Sequence, residues 1–233
     1  MKKPTIENST KIPGGENSGD FTSELLNLTS NTEYFVRAYA TNSLGTSYGN
    51  EISFFTTINS IVYKTDGRIV KYGDPLPIPL DITEDGLVDF TVFVELHASY
   101  LGDHLNVGMN PIGFGRNLIK SGPQIFENYN NMGFLVAENE AAVINDNLLE
   151  NQYWTEEFSA LVIRHTKTNG EIYYEGSWAD SSQIVAIQTN INGAFHFGWV
   201  RVEFDKITEF ATLIDFAYNT TANQSIKAGA TSN

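Results

Sequence analysis

Apolar and polar residues alternate with a two-residue period over much of the chain, most clearly between Ile184 and Gly229. Ala194–Phe204 and Ala211–Tyr218 are rich in β-branched and aromatic residues, and Asp205–Glu209 between them is polar. Successive side chains of a strand point to opposite faces, so such runs predict strands with a buried face. We therefore predict that these two runs form the central hairpin of a β-sandwich.

Shorter alternating runs, separated by Gly, Asn and Asp, predict further strands in the same part of the chain. They are Ile61–Tyr63, Ile78–Asp81, Val88–Ala98, Asn106–Met109, Gly133–Val136, Ser159–His165, Glu171–Tyr174, Ile184–Thr189 and Ile226–Lys227. Glu138–Asn151 is the one segment in which the pattern indicates a helix or a helical turn. The sequence therefore predicts an all-β fold.

The first part of the chain has its own strand pattern, which follows about 20 polar residues that predict a loop. Its predicted elements are the strands Phe21–Leu25, Leu28–Asn42 and Glu51–Thr57 and a turn at Asn42–Thr46. In the second of these strands, Tyr34, Val36, Ala38 and Ala40 fall on one face. We expect that face to pack against a core.

This stretch resembles the second half of a fibronectin type III domain. Leu28, Thr32 and Tyr34 match the Leu-x-x-x-Thr-x-Tyr corner of that family, in which the Tyr hydroxyl bonds to upstream backbone. The sequence that starts at Tyr34, Tyr-Phe-Val-Arg-Ala-Tyr-Ala-Thr-Asn-Ser, is similar to the version found in bacterial surface proteins. The resemblance implies a partial module in residues 1–57 and a second domain in residues 59–233.

A complete sandwich of this type has about 100 residues, so we expect the chain to begin inside the module. The alternative is that residues 1–57 are a β-hairpin extension that packs on the second domain.

The second domain resembles exported bacterial β-sandwich proteins of the PEP-CTERM type over residues 78–229. The motifs that carry the resemblance are Asp81-Ile-Thr-Glu-Asp-Gly-Leu-Val-Asp-Phe, Gly176-Ser-Trp, His196-Phe-Gly-Trp-Val-Arg-Val, Ile214-Asp-Phe-Ala-Tyr-Asn and Ile226-Lys-Ala-Gly. The family's sorting tail is not among them, and the family has no established chemistry. The resemblance implies an antiparallel sandwich of jelly-roll type and an extracellular or cell-surface location.

Charge and composition exclude several classes of partner. The chain has 28 acidic and 14 basic residues, a formal net charge of -14, which repels phosphate backbones and anionic lipids. No run approaches the roughly 20 apolar residues of a membrane span, so we expect no membrane insertion by this chain. With no cysteine, disulfides, thiolate nucleophiles and Cys-bound metals are excluded. We therefore expect neither a nucleic-acid nor a membrane partner.

One acidic loop has the spacing of a calcium site. Asp81, Thr83, Asp85 and Asp89 place oxygen atoms at positions 1, 3, 5 and 9 of a calcium loop, and Gly86 occupies position 6. Position 12 carries Val instead of the usual Glu. We predict calcium as a ligand of this loop, and the alternative is an acidic turn before a strand.

The sequence offers two arrangements of carboxylates for catalysis. Glu203, Asp205 and Glu209 resemble the Glu-x-Asp-x-x-Glu strand of retaining glucanases, but the last spacing is one residue longer and a turn intervenes. A carboxylate pair from distant strands is the second arrangement. Its first candidates are Glu95, Asp103, Glu156 and Glu157.

Aromatic side chains offer a surface for sugar rings. Trp154 and Trp178 lie in polar, loop-like surroundings and are the predicted ligand-binding residues, whereas Trp199 is expected in the core. The four histidines are scattered, and only His97 and His104 face each other across a short loop.

The sequence thus predicts a non-catalytic, exported or cell-surface protein for binding or adhesion, with a polysaccharide or a surface protein as partner. Two alternatives stay open: a carbohydrate-active hydrolase with a carboxylate pair, and a purely structural stalk segment.

Overall fold

The computed structural model describes residues 3–12, 14, 20–26, 28–29, 31–56, 60–99, 102–113, 115–124, 133–176 and 182–232. The chain divides into two compact units, residues 1–59 and 60–232. All regular structure in the described ranges is β-strand, and these ranges contain no helix. The predicted all-β class is therefore confirmed.

In the described part of the first unit, the strands are β1 (Glu33–Asn42) and β2 (Gly45–Phe55), which form an antiparallel hairpin. Tyr34 stacks on Phe54 with ring centroids 6.0 Å apart. The Tyr34 hydroxyl accepts a hydrogen bond of 2.8 Å from the backbone N–H of Thr29. The bond predicted from tyrosine to upstream backbone is therefore present.

Other expectations for this unit are wrong. Phe21–Leu25 is not a strand, and the return strand begins at Gly45 rather than Glu51. The register shifts between Arg37 and Tyr39, which breaks the two-residue alternation. Ala38 and Ala40 are consequently exposed instead of sharing a buried face with Tyr34, and none of the described residues up to 56 is buried.

The second unit contains the remaining strands. They are β3 (Ile61–Thr65), β4 (Ile69–Lys71), β5 (Ile78–Leu80), β6 (Phe90–Ser99), β7 (Gly102–Pro111), β8 (Asn117–Gln124), β9 (Gly133–Leu135), β10 (Ala137–Glu138), β11 (Val143–Ile144), β12 (Tyr153–Thr155), β13 (Ser159–Lys167), β14 (Ile172–Glu175), β15 (Gln183–Ile191), β16 (Ala194–Asp205), β17 (Phe210–Asn219) and β18 (Ile226–Lys227). The hydrogen-bonded order of the main sheet is β3-β17-β16-β15-β8-β9-β13-β7-β6-β5. The short strand pair β11–β18 is separate from it.

The main sheet bends so that its two ends enclose one core. β4 pairs with β17 near one end, and β5 pairs with β6 at the other end. Arg68, which directly precedes β4, links that strand to β5, since its Nη1 donates a hydrogen bond of 2.7 Å to the Pro79 carbonyl of β5. Val70 of β4, Leu80 of β5 and Phe204 of β16 meet in the main core. This arrangement is consistent with the predicted β-sandwich.

The predicted central hairpin is confirmed. β16 and β17 pair antiparallel, and residues 206–209 form the turn between them. In this turn, Asp205 accepts a hydrogen bond of 2.8 Å from the Ile207 N–H, and Glu209 has a positive φ of 57°. Glu209 therefore leaves the face that Glu203 and Asp205 share, and it forms an ion pair of 3.1 Å with Arg164.

Both faces of β16 are buried, because its other face packs against a second, smaller core. Trp199 is fully buried there and lies in register between Ala186 of β15 and Ala217 of β17. These small neighbours leave room for the indole. β18 and the residues after it cover the ring, and the indole N–H donates a 3.2 Å hydrogen bond to the Ala230 carbonyl. The expected core position of Trp199 is confirmed.

The helical segment expected at Glu138–Asn151 is wrong. It contains the end of β10, the strand β11 and turns. Ile144 of β11 is buried in the second core, and Val143 beside it is exposed. Two-residue alternation in so short a strand is indistinguishable from helical spacing.

Gly198 generates a first testable prediction. A Cβ atom there would lie 2.6 Å from the Ala217 carbonyl oxygen, whereas a Cβ at Gly122, in β8, would be no closer than 3.6 Å to any atom. We expect Gly198→Ala to reduce the free energy of unfolding by about 2–4 kcal/mol because β17 must move. Gly122→Ala, the matched control, should change it by less than about 1 kcal/mol. Urea unfolding measures both, and equal effects would contradict the close strand approach at Gly198.

A second prediction concerns the Arg68–Asp66 pair. Burial would raise the pKa of the Asp66 carboxyl, but hydrogen bonds from Arg68 outweigh burial and bring the pKa below its ordinary value of 3.8. Asp66 therefore stabilises the fold above pH 3.8, and this contribution is lost as the pH falls through the folded-state pKa.

We expect Asp66→Asn to be less stable than the unsubstituted protein at neutral pH, and to lose less further stability upon acidification. Urea unfolding between about pH 5 and about pH 2 measures this difference in slope. Asp74→Asn is the control, since its exposed carboxylate accepts one backbone hydrogen bond from Lys71. An unchanged acid dependence in Asp66→Asn would show that the pair has no role in acid stability.

Candidate functional site

The outer side of β6, β7, β13 and β14 is an open polar surface, which we call the polar face. Directly opposite residues in antiparallel strands point to the same side, so the strand register fixes its membership. It consists of Thr91, Phe93, Glu95, His97, His104, Asn106, Asn110, Ile163, His165, Tyr173 and Glu175. The alternate residues of the same strands, such as Val92, Leu105 and Val107, form the main core.

A pocket of about 210 Å³ opens on the polar face. Its lining residues are Pro77, Thr91, Phe93, Glu95, Asn110 and Phe158. The Phe93 and Phe158 rings meet edge to face, with centroids 6.1 Å apart. Gly108 of β7 makes this possible, because a Cβ atom there would lie 2.8 Å from the Phe93 ring.

The chemistry of this pocket is mixed. Phe93 is largely buried and Phe158 is half-buried, so together they provide apolar ring surface. Thr91, Glu95 and Asn110 add hydroxyl, carboxylate and amide groups that can donate or accept hydrogen bonds. A small pocket with apolar walls and a few polar groups is typical of sites for polar organic ligands.

Next to the pocket, a row of histidines crosses the polar face. His97, His104 and His165 are directly opposite one another on β6, β7 and β13, and Tyr173 of β14 continues the row. The Nδ1 atoms of His104 and His165 are 2.7 Å apart. The His165 ring stacks on Tyr173 with centroids 4.5 Å apart, and its Nε2 lies 3.2 Å from the Glu175 carboxylate.

The environment keeps His104 neutral. Burial is the largest cause that lowers the pKa of His104, and the neighbouring His165 lowers it further. Because the ordinary value is 6.5, His104 is uncharged at pH 7. It therefore offers imidazole nitrogen atoms rather than a positive charge.

The carboxylates of the polar face are far apart. Glu95 and Glu175 lie in one cross-strand row, with Asn106 and Ile163 between them. Three strand spacings separate their backbones by about 14 Å. Glycosidase carboxylate pairs are about 5–9.5 Å apart, so these two do not have that geometry.

The other predicted catalytic candidates lie elsewhere. Asp103 is three residues before Asn106 on β7 and therefore projects to the side opposite Glu95. Glu156 accepts a 2.7 Å hydrogen bond from the Gly115 N–H, and Glu157 is exposed. Asp103 is thus separated from Glu95 by the sheet.

In the predicted calcium loop, the most buried carboxylate is bonded within the protein. Asp89 accepts hydrogen bonds from the N–H groups of Ile82 and Thr83 and from the Asn117 amide. Burial is the main cause that raises the pKa of Asp89, and these hydrogen bonds oppose the effect. The carboxylate of Asp89, the last residue of the candidate site, is thus already hydrogen-bonded to three residues of the protein.

The other carboxylates of the loop are less enclosed. Asp81 accepts a 2.9 Å hydrogen bond from the Gly86 N–H, and its second carboxylate oxygen is buried and has no partner among the described residues. Asp85 accepts from the Leu87 N–H and lies 3.5 Å from Arg116. No group of three His, Asp or Glu side chains in the described ranges is positioned to hold a metal ion. Calcium in this loop stays a prediction.

Of the two tryptophans predicted to bind ligand, Trp154 is described, and it is not on the polar face. Trp154 lies on β12, is half-buried, and packs beside Phe197 of the second core with ring centroids 6.1 Å apart. Its indole N–H is buried and has no hydrogen-bond partner among the described residues. Trp178 lies outside the described residues. The ligand-binding role of both stays a prediction.

Sequence reasoning found one part of the histidine row, the facing pair His97 and His104, and missed both the pocket and His165. The register of β6 and β7 confirms that His97 and His104 lie opposite each other. His165 could not be found in this way, since it is 61 residues from His104.

In comparisons with known proteins, no family model, curated protein or solved structure matches the chain. The resemblances to fibronectin type III modules and to PEP-CTERM-type proteins therefore stay predictions. Where the chain is described, no helix is long and apolar enough to cross a membrane.

The calcium prediction is tested by thermal unfolding of the full chain in calcium and in EDTA. A bound ion stabilises the folded state, so the unfolding temperature should be higher in calcium. Asp85→Ala should remove most of that rise because it deletes one oxygen ligand of the loop, and this exposed carboxylate is not needed by the core. Asp74→Ala, outside the loop, should keep the rise. The same unfolding temperature in both buffers would leave the loop as an acidic turn.

Proposed function

We propose that this protein is a non-catalytic binding protein of the exported or cell-surface class, and that its pocket on the polar face binds a polysaccharide. One observation carries the proposal: the Phe93 and Phe158 rings share a pocket with Thr91, Glu95 and Asn110. The location outside the cell is a separate part of the proposal, and it depends on the resemblance of residues 78–229 to exported proteins of the PEP-CTERM type.

The composition of the pocket is suited to a sugar. Aromatic rings pack against the apolar C–H faces of a pyranose, while carboxylate and amide side chains bond its hydroxyl groups. Thr91 and Asn110 are directly opposite each other in the β6–β7 register, so their polar groups approach a ligand from adjacent strands.

Binding is favoured over hydrolysis by the arrangement of acidic groups. Glu95 is the carboxylate in the pocket, and Glu175 is three strand spacings away from it. A glycosidase needs a second carboxyl group within about 10 Å across the scissile bond. The net charge of -14 also favours a neutral or cationic polysaccharide over a polyanionic one.

The test is binding of the full chain to a panel of soluble polysaccharides, measured by affinity electrophoresis and then by calorimetry on the best binder. We expect Phe158→Ala and Asn110→Ala each to weaken binding about ten-fold, which corresponds to about 1.4 kcal/mol. Tyr72→Ala is the control, since Tyr72 is an exposed aromatic residue that does not line the pocket.

Trp154→Phe and Trp178→Ala, measured in the same way, test the sequence prediction against the pocket. Loss of binding in these variants but not in Phe158→Ala would contradict the pocket assignment. Release of reducing sugar from a bound polysaccharide would contradict the non-catalytic role and favour the hydrolase alternative. No binding to any polysaccharide would contradict the proposal and favour protein adhesion or a structural role.

A further inference from the structure

We propose that His104 and His165 form a binding site for a divalent transition metal ion, Zn²⁺ or a metal of similar preference, with Glu175 orienting His165. The observation that carries this proposal is the contact between the two imidazole rings on the polar face. It does not depend on the proposed polysaccharide binding.

The backbone holds the two rings together. His104 and His165 are directly opposite each other on the antiparallel strands β7 and β13. Side chains at such positions leave the same face with Cβ atoms about 5 Å apart. The rings meet edge to face at 4.8 Å, and both side chains are half-buried.

The contacts of His165 determine which of its nitrogen atoms carries a proton. Its Nε2 lies 3.2 Å from a carboxylate oxygen of Glu175, and an ionised carboxylate only accepts hydrogen bonds. In the neutral ring, Nε2 is therefore protonated and Nδ1 presents its lone pair. That lone pair faces the Nδ1 of His104 at 2.7 Å, so His104 supplies the single proton between them.

A metal ion can take the place of that proton when His104 changes tautomer, so that its Nε2 carries the proton and its Nδ1 lone pair faces the ion. Zn²⁺, Ni²⁺ and Cu²⁺ all bind neutral imidazole, and Zn–N distances are about 2.0–2.1 Å. Two nitrogen atoms in a tetrahedral arrangement around zinc are then about 3.3 Å apart. The Nδ1 atoms therefore need to separate by about 0.6 Å from their present 2.7 Å, and the rings need to turn so that both lone pairs face the ion.

The surroundings of His165 match those of a metal ligand. Metal-binding histidines usually donate their second N–H to a carboxylate, which fixes the orientation of the ring. Glu175 fills this role, and Tyr173 holds the ring plane by stacking on it at an interplanar angle of 7°. The ring of His165 is thus oriented before any ion arrives.

The protein supplies two ligands, and solvent completes the coordination. In the described part of the chain, no three His, Asp or Glu side chains converge on one point. His97 is the next histidine of the row, but its half-exposed ring lies 3.5 Å from Glu95. His196 is buried and its Nδ1 lies 2.9 Å from the Asn219 carbonyl, so it is occupied elsewhere.

The experiment is calorimetric titration of the untagged full chain with Zn²⁺ in a chelator-free buffer near neutral pH. We expect one saturable site. His104→Asn and His165→Asn should each weaken binding by more than about ten-fold, and Glu175→Gln should weaken it by about ten-fold. His97→Asn is the matched control from the same row and should bind within about two-fold of the unsubstituted protein.

A second measurement needs no variant. In the ¹⁵N-labelled protein, Zn²⁺ should shift the Nδ1 resonances of His104 and His165 and leave those of His97 and His196 in place. The absence of saturable binding would overturn the proposal, and so would equal affinity in all variants. Loss of binding in His97→Asn alone would show that surface histidines outside the pair bind the ion, which also contradicts the proposal.

Discussion

Three adjacent strands of the second unit, β15, β16 and β17, are buried on both faces, and much of its architecture follows from that constraint. One face of these strands is covered by the rest of the bent sheet, which closes over the main core. The other face is covered by β11, β18 and the residues up to Ala230. Most of the buried residues of these strands are apolar, and large side chains lie opposite small ones on neighbouring strands. Large Trp199 lies between Ala186 and Ala217, and Gly198 lies between Ile187 and Tyr218 on the opposite side.

The strands β6, β7, β13 and β14 are under a weaker constraint, which explains why the candidate site is there. Their inner residues fill the main core, but no second layer in the described ranges covers their outer residues. Polar groups can therefore collect on that side at a smaller desolvation penalty than in the main core, although burial still lowers the pKa of His104. Phe93 and Asn106 are the buried members of the polar face, and the lack of a Cβ atom at Gly108 leaves room for the Phe93 ring.

The sequence predicted strands that have one apolar face, as in β6, or an apolar run, as in the central hairpin. It did not predict a strand in which a buried charged side chain is neutralised by a partner distant in sequence. β8 was not predicted, since its sequence Asn-Leu-Ile-Lys-Ser-Gly-Pro-Gln resembles a loop. Its Lys120 is buried because it forms an ion pair of 2.6 Å with Glu138. The histidine contact could not be predicted at all, because it requires the register between β7 and β13, which no local pattern encodes.

The pairing of β3 with β17 has a consequence for how the chain acquires its structure. Ile61 lies opposite Asn219, so a strand made early in synthesis has to wait for a partner made much later. Contacts of such sequence separation must overcome a large loop entropy before they contribute stability, and folding dominated by them is slow. During that interval β3 has an unpaired edge, and the apolar side of β16 lacks its cover. Chaperone association with the nascent chain is therefore most useful in the period before β17 and β18 emerge.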